Sequence, residues 1–197
     1  MMNQKLIPIL DNGHGDNTPG KRSPQFGENL PILYEWEFNR DIVKRIAAMC
    51  TNVGIEYRVL VPENNDVSLQ ARCERANQIY SETGGKCFLF SIHANAGGGT
   101  GWECYTTKGE TKSDRIAEIL ANEWRAEFGD QWRIRADYSD GDADKESQFY
   151  ILQHTKCPAV LSENLFMDNY KDYKFLMTDA GRDRIAKVHF ETIRLIL

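Results

Sequence analysis

Two histidines occupy matched places in this sequence. His14 follows the apolar run Leu6-Ile7-Pro8-Ile9-Leu10 by way of Asp11-Asn12-Gly13. His93 closes the run Cys87-Phe88-Leu89-Phe90-Ser91-Ile92 and opens onto Ala94-Asn95-Ala96-Gly97-Gly98-Gly99. A third run, Pro158-Ala159-Val160-Leu161-Ser162, ends in Glu163. Each has the length and near-continuous hydrophobicity of a buried strand, and each delivers a group able to bind metal or carry a proton. Sites in open α/β sheets gather outside the carboxyl ends of the strands, so the repetition points to one shared site. Two imidazoles need a third ligand to hold catalytic zinc with an open position, and a carboxylate is a common choice. The candidates are Glu28, Glu35, Glu37 and Glu163. Glu35 shares a helix face with Phe38 and Ile42 and points inward, where an unpaired carboxylate is costly. A first-turn carboxylate is also favoured by the helix dipole alone. Glu37 falls off that face, and Glu163 is aimed at the site by its strand. Such a set suits metal-assisted hydrolysis of a carbonyl compound, an amide above all, with a carboxylate passing the proton from water to the leaving amine. No Gly-x-Ser-x-Gly elbow is present, and neither Cys87 nor Ser91 has the turn context of a nucleophile. His154 reads as a turn residue and His189, beside an apolar helical stripe, as structural.

The elements that must position these groups alternate between strand and helix. Strands are expected over residues 5–11, 55–61, 87–92, 101–106, 149–153 and 159–163, the fourth as an edge or half-buried strand. A Gly-, Pro-, Asn- and Ser-rich stretch, 12–29, reads as a long functional loop. A helix over 34–50 places Phe38, Ile42, Ile46 and Met49 on one face and stops before Gly54. Asp66 is expected to cap a helix over 67–81, with Leu69, Cys73, Ala76 and Ile79 inward. Thr111 to Asp114 begins a third helix in the manner of a capping box, running to about residue 128. A last helix covers 179–197. The polar stretch 129–146 carries Asp137, Asp140, Asp142 and Asp144, but glycine and glutamate are out of register for an EF-hand, so it reads as a solvated loop. The expected fold class is α/β: one domain over 1–197, with a mostly parallel, twisted sheet of about six strands and helices on both faces.

Composition excludes other classes. Of 197 residues, 41% are hydrophobic and 27% charged, the balance of a chain with a real core, and the net charge of −5 with no basic stripe argues against a nucleic-acid partner. No apolar run reaches the ~18 residues that span a membrane. Residues 1–5 lead straight into the first strand without a visible signal peptide, which leaves the localisation open. The five cysteines, Cys50, Cys73, Cys87, Cys104 and Cys157, form no CxxC pair. They read as reduced, buried thiols of a reducing compartment rather than as a zinc site.

At these residues the chain resembles the zinc-dependent N-acetylmuramoyl-L-alanine amidases of the Amidase_3 family. The matching pieces are Leu10-Asp11-Asn12-Gly13-His14-Gly15, Glu35 with Asn39, Ser91-Ile92-His93-Ala94-Asn95, and Pro158-Ala159-Val160-Leu161-Ser162-Glu163. Asp66-Val67-Ser68-Leu69 with Arg72, Ala76 and Asn77 resembles the family's second helix. The resemblance implies one catalytic zinc ion (Zn2+) bound by His14, Glu35 and His93, Glu163 as catalytic carboxylate, and Asn95 as an aid to substrate binding. It implies cleavage of the amide between N-acetylmuramic acid and L-alanine in peptidoglycan; separately, a monomer is expected. Asp16 stands where the family has a further glycine, and Ser162 and Asn164-Leu165-Phe166 depart from its Val before the glutamate and Gly-Phe after it. The short stretch between Thr106 and Phe149 implies an open groove, as suits a phage-type lysin or an envelope-remodelling enzyme. Two other readings share these residues: a zinc enzyme acting on another amide, and a non-catalytic wall-binding module with a structural metal.

Overall fold

The three apolar runs form the middle of one sheet. In the computed structural model, which describes residues 6–139 and 141–197, β1 (Ile7–Asn12), β3 (Cys87–Asn95) and β6 (Ala159–Phe166) lie side by side and parallel. Residues 1–5, which include the first residue of the expected 5–11 strand, and Asp140 lie outside the described residues. The sheet order is β2-β1-β3-β6-β4-β5, with β2 (Arg58–Val59), β4 (Trp102–Thr106) and β5 (Lys145–Glu146) completing six strands. Among the strand pairs of this sheet in the described residues, only β4–β6 is antiparallel. β1 is buried along its whole length, and β3 and β6 almost throughout, which is why their sequences run apolar rather than alternating.

Each face has its own core. Leu10, Phe90, Ile92 and Val160 pack under α1 (Glu35–Asn52), α3 (Lys112–Phe128) and α6 (Asp179–Ile196). Ile9, Leu89, Ala159 and Leu161 pack with α2 (Leu69–Glu82) and the one-turn α4 (Tyr150–Gln153). Phe38, Ile42 and Ile46 are the buried stripe of α1, and Gly54 just beyond its end takes φ 72, a conformation open to glycine. Thr111 and Asp114 make the expected capping box on α3.

Several expectations need correction. Residues 149–153 are not a strand: Ile151 and Leu152, adjacent in sequence, are both buried in α4, and periodicity cannot separate so short an apolar run from a helical turn. The sixth strand is β5 instead, inside the stretch expected to be a solvated loop, and Asp144 there is 3% exposed. β2 holds two residues rather than seven. β4 is not an edge strand but the last but one, and mostly buried. β3 runs on through His93 to Asn95 and β6 through Glu163 to Phe166, so both site residues sit within strands. Ser68, not Asp66, caps α2, its hydroxyl accepting from Ala71 N at 3.2 Å. Asp66 is drawn off by Arg72, and Leu69 at the first helical position faces solvent. A further helix, α5 (Tyr170–Leu176), was not anticipated. All five cysteines are buried and free, and no helix among the described residues is long and apolar enough to cross a membrane.

Candidate active site

The site is built at the carboxyl ends of β1 and β3 and at the first turn of α1. Gly13 N continues the β1–β3 ladder by donating to Ile92 O at 3.2 Å, and the chain then turns at His14, whose φ is 63. A left-handed conformation at a residue with a Cβ is uncommon and costs of order 1 kcal/mol or more. Side chains hold it there. Arg40 Nη1 (2.9 Å) and Arg72 Nη2 (3.2 Å) donate to His14 O, Asn39 Nδ2 to Gly13 O (3.0 Å), and Arg72 Nη1 to Asn12 O (2.9 Å). Three successive carbonyls are thus tied to α1 and α2. Glu35 enters from α1, its own N–H donating to Lys21 O at 3.0 Å.

The side chains converge. Glu35 Oε1 lies 3.2 Å from His14 Nε2 and 3.0 Å from His93 Nδ1, and the two imidazoles meet edge to face with ring centroids 5.0 Å apart. Among the described residues these three form the one group of His, Cys, Asp or Glu suited to a metal, with their donor atoms within 4.8 Å of one another. Burial alone would raise the Glu35 carboxyl, but hydrogen bonds from His14 and His93 and their charge hold it well below the usual carboxylate range. Burial opposes protonation of His93, yet the bond and charge of Glu35 raise its pKa from the ordinary value. Glu35 Oε2 is buried without a hydrogen-bond partner, with Lys21 Nζ 3.9 Å away. Two imidazole nitrogens and one buried carboxylate oxygen converging this way fit a catalytic zinc ion, which keeps a position open beyond its three protein ligands.

Glu163 stands beside this triad. It is the register partner of His93 on the neighbouring strand, so both side chains leave the same face of the sheet. Its Oε2 is buried with no hydrogen-bond partner. Burial pushes its pKa up to about 7, with the charge of His93 pulling down and that of Glu35 pushing up. A cleft of about 330 Å³ opens over the group, lined by His14, Lys21, His93 and Glu163 and walled by Val67, Leu69, Phe149 and Tyr150.

The other candidates go elsewhere. Glu28 and Glu37 are exposed and outside the group. Asn95 does not line the cleft: its Nδ2 donates to Glu103 Oε2 at 2.8 Å and its Oδ1 accepts from Ala96 N at 2.8 Å. His154 is the C-cap of α4, stacked on Tyr150 at 3.8 Å. His189 is wholly buried and bonded to Ser162 at 2.9 Å. Trp102 is a core residue stacked on Trp124, whereas Phe149 and Tyr150 reach the cleft. Nothing local in the sequence marks Lys21, which lines the cleft. The buried contacts of Arg72 and Ser91 were equally unmarked, although each lies inside a motif.

The family model of Amidase_3, described as N-acetylmuramoyl-L-alanine amidase, matches residues 9–194. The chain belongs to the Amidase_3 family. This Amidase_3 chain is 28% identical over 192 residues to N-acetylmuramoyl-L-alanine amidase CwlM of Bacillus licheniformis, covering 92% of this chain and 64% of that protein. It is 29% identical over 194 residues to an endolysin of Bacillus phage SPP1, covering 95% of this chain and 65% of that protein. It therefore spans just under two thirds of the length of these curated relatives. The crystal structure of an N-acetylmuramoyl-L-alanine amidase from Clostridium difficile 630 shares the Amidase_3 fold seen here, with a TM-score of 0.80 at 22% identity over 98% of this chain and 96% of that one.

Proposed function

We propose that this chain is a zinc-dependent hydrolase that cleaves the amide between N-acetylmuramic acid and L-alanine in peptidoglycan, acting through one catalytic domain. The observation that carries the reading is the convergence of His14 Nε2, Glu35 Oε1 and His93 Nδ1 beside an unpartnered oxygen of Glu163 at the floor of a cleft. Family membership and the names of the curated relatives support the substrate.

His14, Glu35 and His93 would hold the metal. Bound there, zinc supplies a Lewis acid that polarises a carbonyl and makes water a nucleophile near neutral pH. Glu163 supplies the proton chemistry. With a pKa near 7 it accepts a proton from the attacking water and returns it to the leaving amine of the alanine. Val67, Leu69, Phe149 and Tyr150 offer apolar walls against which a substrate excludes water, and Lys21 places a cation at the same rim. Asn95 stands two residues beyond His93 but outside the cleft, its amide held by Glu103, so no contact with substrate is assigned to it.

The test is release of new alanine N-termini from purified peptidoglycan, with zinc and with a chelator. Release that the chelator abolishes and zinc restores is the expected result. No release from folded, zinc-loaded protein overturns the substrate assignment, and a set of small N-acyl amides then tests the broader amidase reading.

A further inference from the structure

Behind His93, on the side away from Glu35, lies a chain of buried polar groups that ends in an ion pair. Ser91 and His93 are two apart on β3 and so share a face, and Asp11 is the register partner of Ser91 on β1. Ser91 Oγ donates to Asp11 Oδ2 at 2.7 Å and lies 3.2 Å from His93 Nε2. Asp11 Oδ1 in turn accepts from Arg72 Nη1 at 2.6 Å. Ser91, Asp11 and Arg72 are all at most 2% exposed.

The donor inventory leaves one arrangement. A hydroxyl has one proton, and here it goes to a carboxylate that can only accept, since its other oxygen pairs with a guanidinium. Ser91 Oγ can therefore only accept from His93, so Nε2 must carry a proton. Without metal, Nδ1 shares its proton with Glu35 Oε1 at 3.0 Å; in the neutral imidazole that a metal requires, that proton is gone and Nδ1 is the free lone pair. We propose that Ser91, anchored by Asp11 and Arg72, is the positioning residue that fixes the tautomer and ring orientation of His93, so that Nδ1 rather than Nε2 is presented to the metal.

The proposal rests on the metal centre described above and concerns a residue that reaches the metal only through His93. Ring-orienting partners of this kind are worth about 10- to 100-fold in metal affinity. Gly13 closes the other route of escape, because a Cβ there would fall 1.9 Å from His93 Cε1, so the ring is packed hard against the main chain.

Two readouts test it, neither of them turnover. The first is zinc affinity by competition with a chromophoric chelator, for the wild type, Ser91→Ala, Ser91→Thr and His14→Ala. Ser91→Ala should weaken zinc by about 10- to 100-fold, and Ser91→Thr, which keeps the hydroxyl, should stay within about threefold of wild type. The second needs no variant: nitrogen-15 histidine spectra of the zinc-loaded wild type should show His93 metallated at Nδ1 and protonated at Nε2. Wild-type affinity in Ser91→Ala, or metallation at Nε2, overturns the proposal. If His14→Ala loses zinc while Ser91→Ala does not, the metal centre stands and the role of Ser91 falls. If neither variant loses zinc, both fall.

Discussion

Glu163 and His93 are register partners across β3 and β6, so backbone pairing, not a loop, sets the distance between the proposed proton carrier and a proposed metal ligand. The irregularity in that ladder comes only after His93, between it and Asn95. A group held by two paired strands keeps its place when its charge is removed. Glu163→Gln should therefore bind zinc as the wild type does and lose roughly 100- to 10,000-fold in turnover, the usual worth of a positioned acid–base group. His93→Ala should lose both. Zinc content and alanine release, measured on the same samples, check this; a fully active Glu163→Gln enzyme would remove Glu163 from the mechanism.

Gly13 is a glycine for a steric reason. Its φ is ordinary, but a Cβ would stand 1.9 Å from Cε1 and 2.4 Å from Nε2 of His93. That ring cannot swing aside without leaving Glu35 or Ser91. Gly13→Ala should weaken zinc by at least about 10-fold, as loss of ligand orientation does. Gly27→Ala is the control, since its Cβ would meet only the Leu30 side chain, at 3.6 and 3.7 Å, ordinary contact distances. The chelator competition separates the two, and equal affinity would show that the ring has room the packing denies it.

Arg72 joins the site to the rest of the fold. One buried guanidinium serves Asp11 Oδ1, Asn12 O, His14 O, Asp66 Oδ1 and Val67 O. Removing it strands the Asp11 carboxylate, which is 2% exposed. Breaking a buried pair on one side costs about 3–5 kcal/mol, so Arg72→Met should lose about that much in urea unfolding of the metal-free protein. Lysine offers one charge without the fork and should recover only part of the loss. A change below 1 kcal/mol would mean that Asp11 finds another partner.

How much of this was legible in the sequence follows from how each feature is encoded. His14, His93 and Glu163 stand out because the apolar run of a buried parallel strand is interrupted at or just before them, even where, at His93 and Glu163, the strand itself continues. Glu35 was legible from helical spacing against Phe38 and Ile42. What was hidden depends on contacts between distant segments. Nothing local distinguishes Arg72 from a solvated helix arginine; only the approach of β1 buries it. The turn at 149–153 is not legible because its four apolar residues fit either period. Leu165 takes φ 67 in the stretch where the chain departs from the family's Gly-Phe, and its side chain is wholly buried there, so packing outweighs a local preference that sequence alone would have trusted.

His189 makes a prediction about stability rather than turnover. It is wholly buried on α6, with Nδ1 against Ile185 O at 2.9 Å and Nε2 against Ser162 Oγ at 2.9 Å. Its ring is satisfied in the neutral form, donating to the carbonyl and accepting from the hydroxyl. Burial pulls its pKa from 6.5 down to about 4, with the bond to Ile185 opposing. The unfolded chain thus binds a proton in the window between those values that the folded chain refuses. Above about pH 6.5 neither state is protonated and the contribution is flat. As pH falls from 6.5 to 4 the unfolded state gains, and stability drops by up to roughly 3 kcal/mol before levelling off. Asp144 works against this, because burial beside Asp142 raises its pKa to about 7, and the folded state then takes up a proton in the same range. Glu163 acts in the same sense as Asp144. The wild-type curve alone therefore mixes several titrations, His93 among them, and the comparison with His189→Gln isolates one. Glutamine can both donate and accept but cannot take the proton. The difference in unfolding free energy between wild type and His189→Gln, followed by urea titration from pH 8 to pH 4, should be constant down to about 6.5 and then move in favour of the variant. A difference that stays level across the window would mean that His189 is protonated inside the fold.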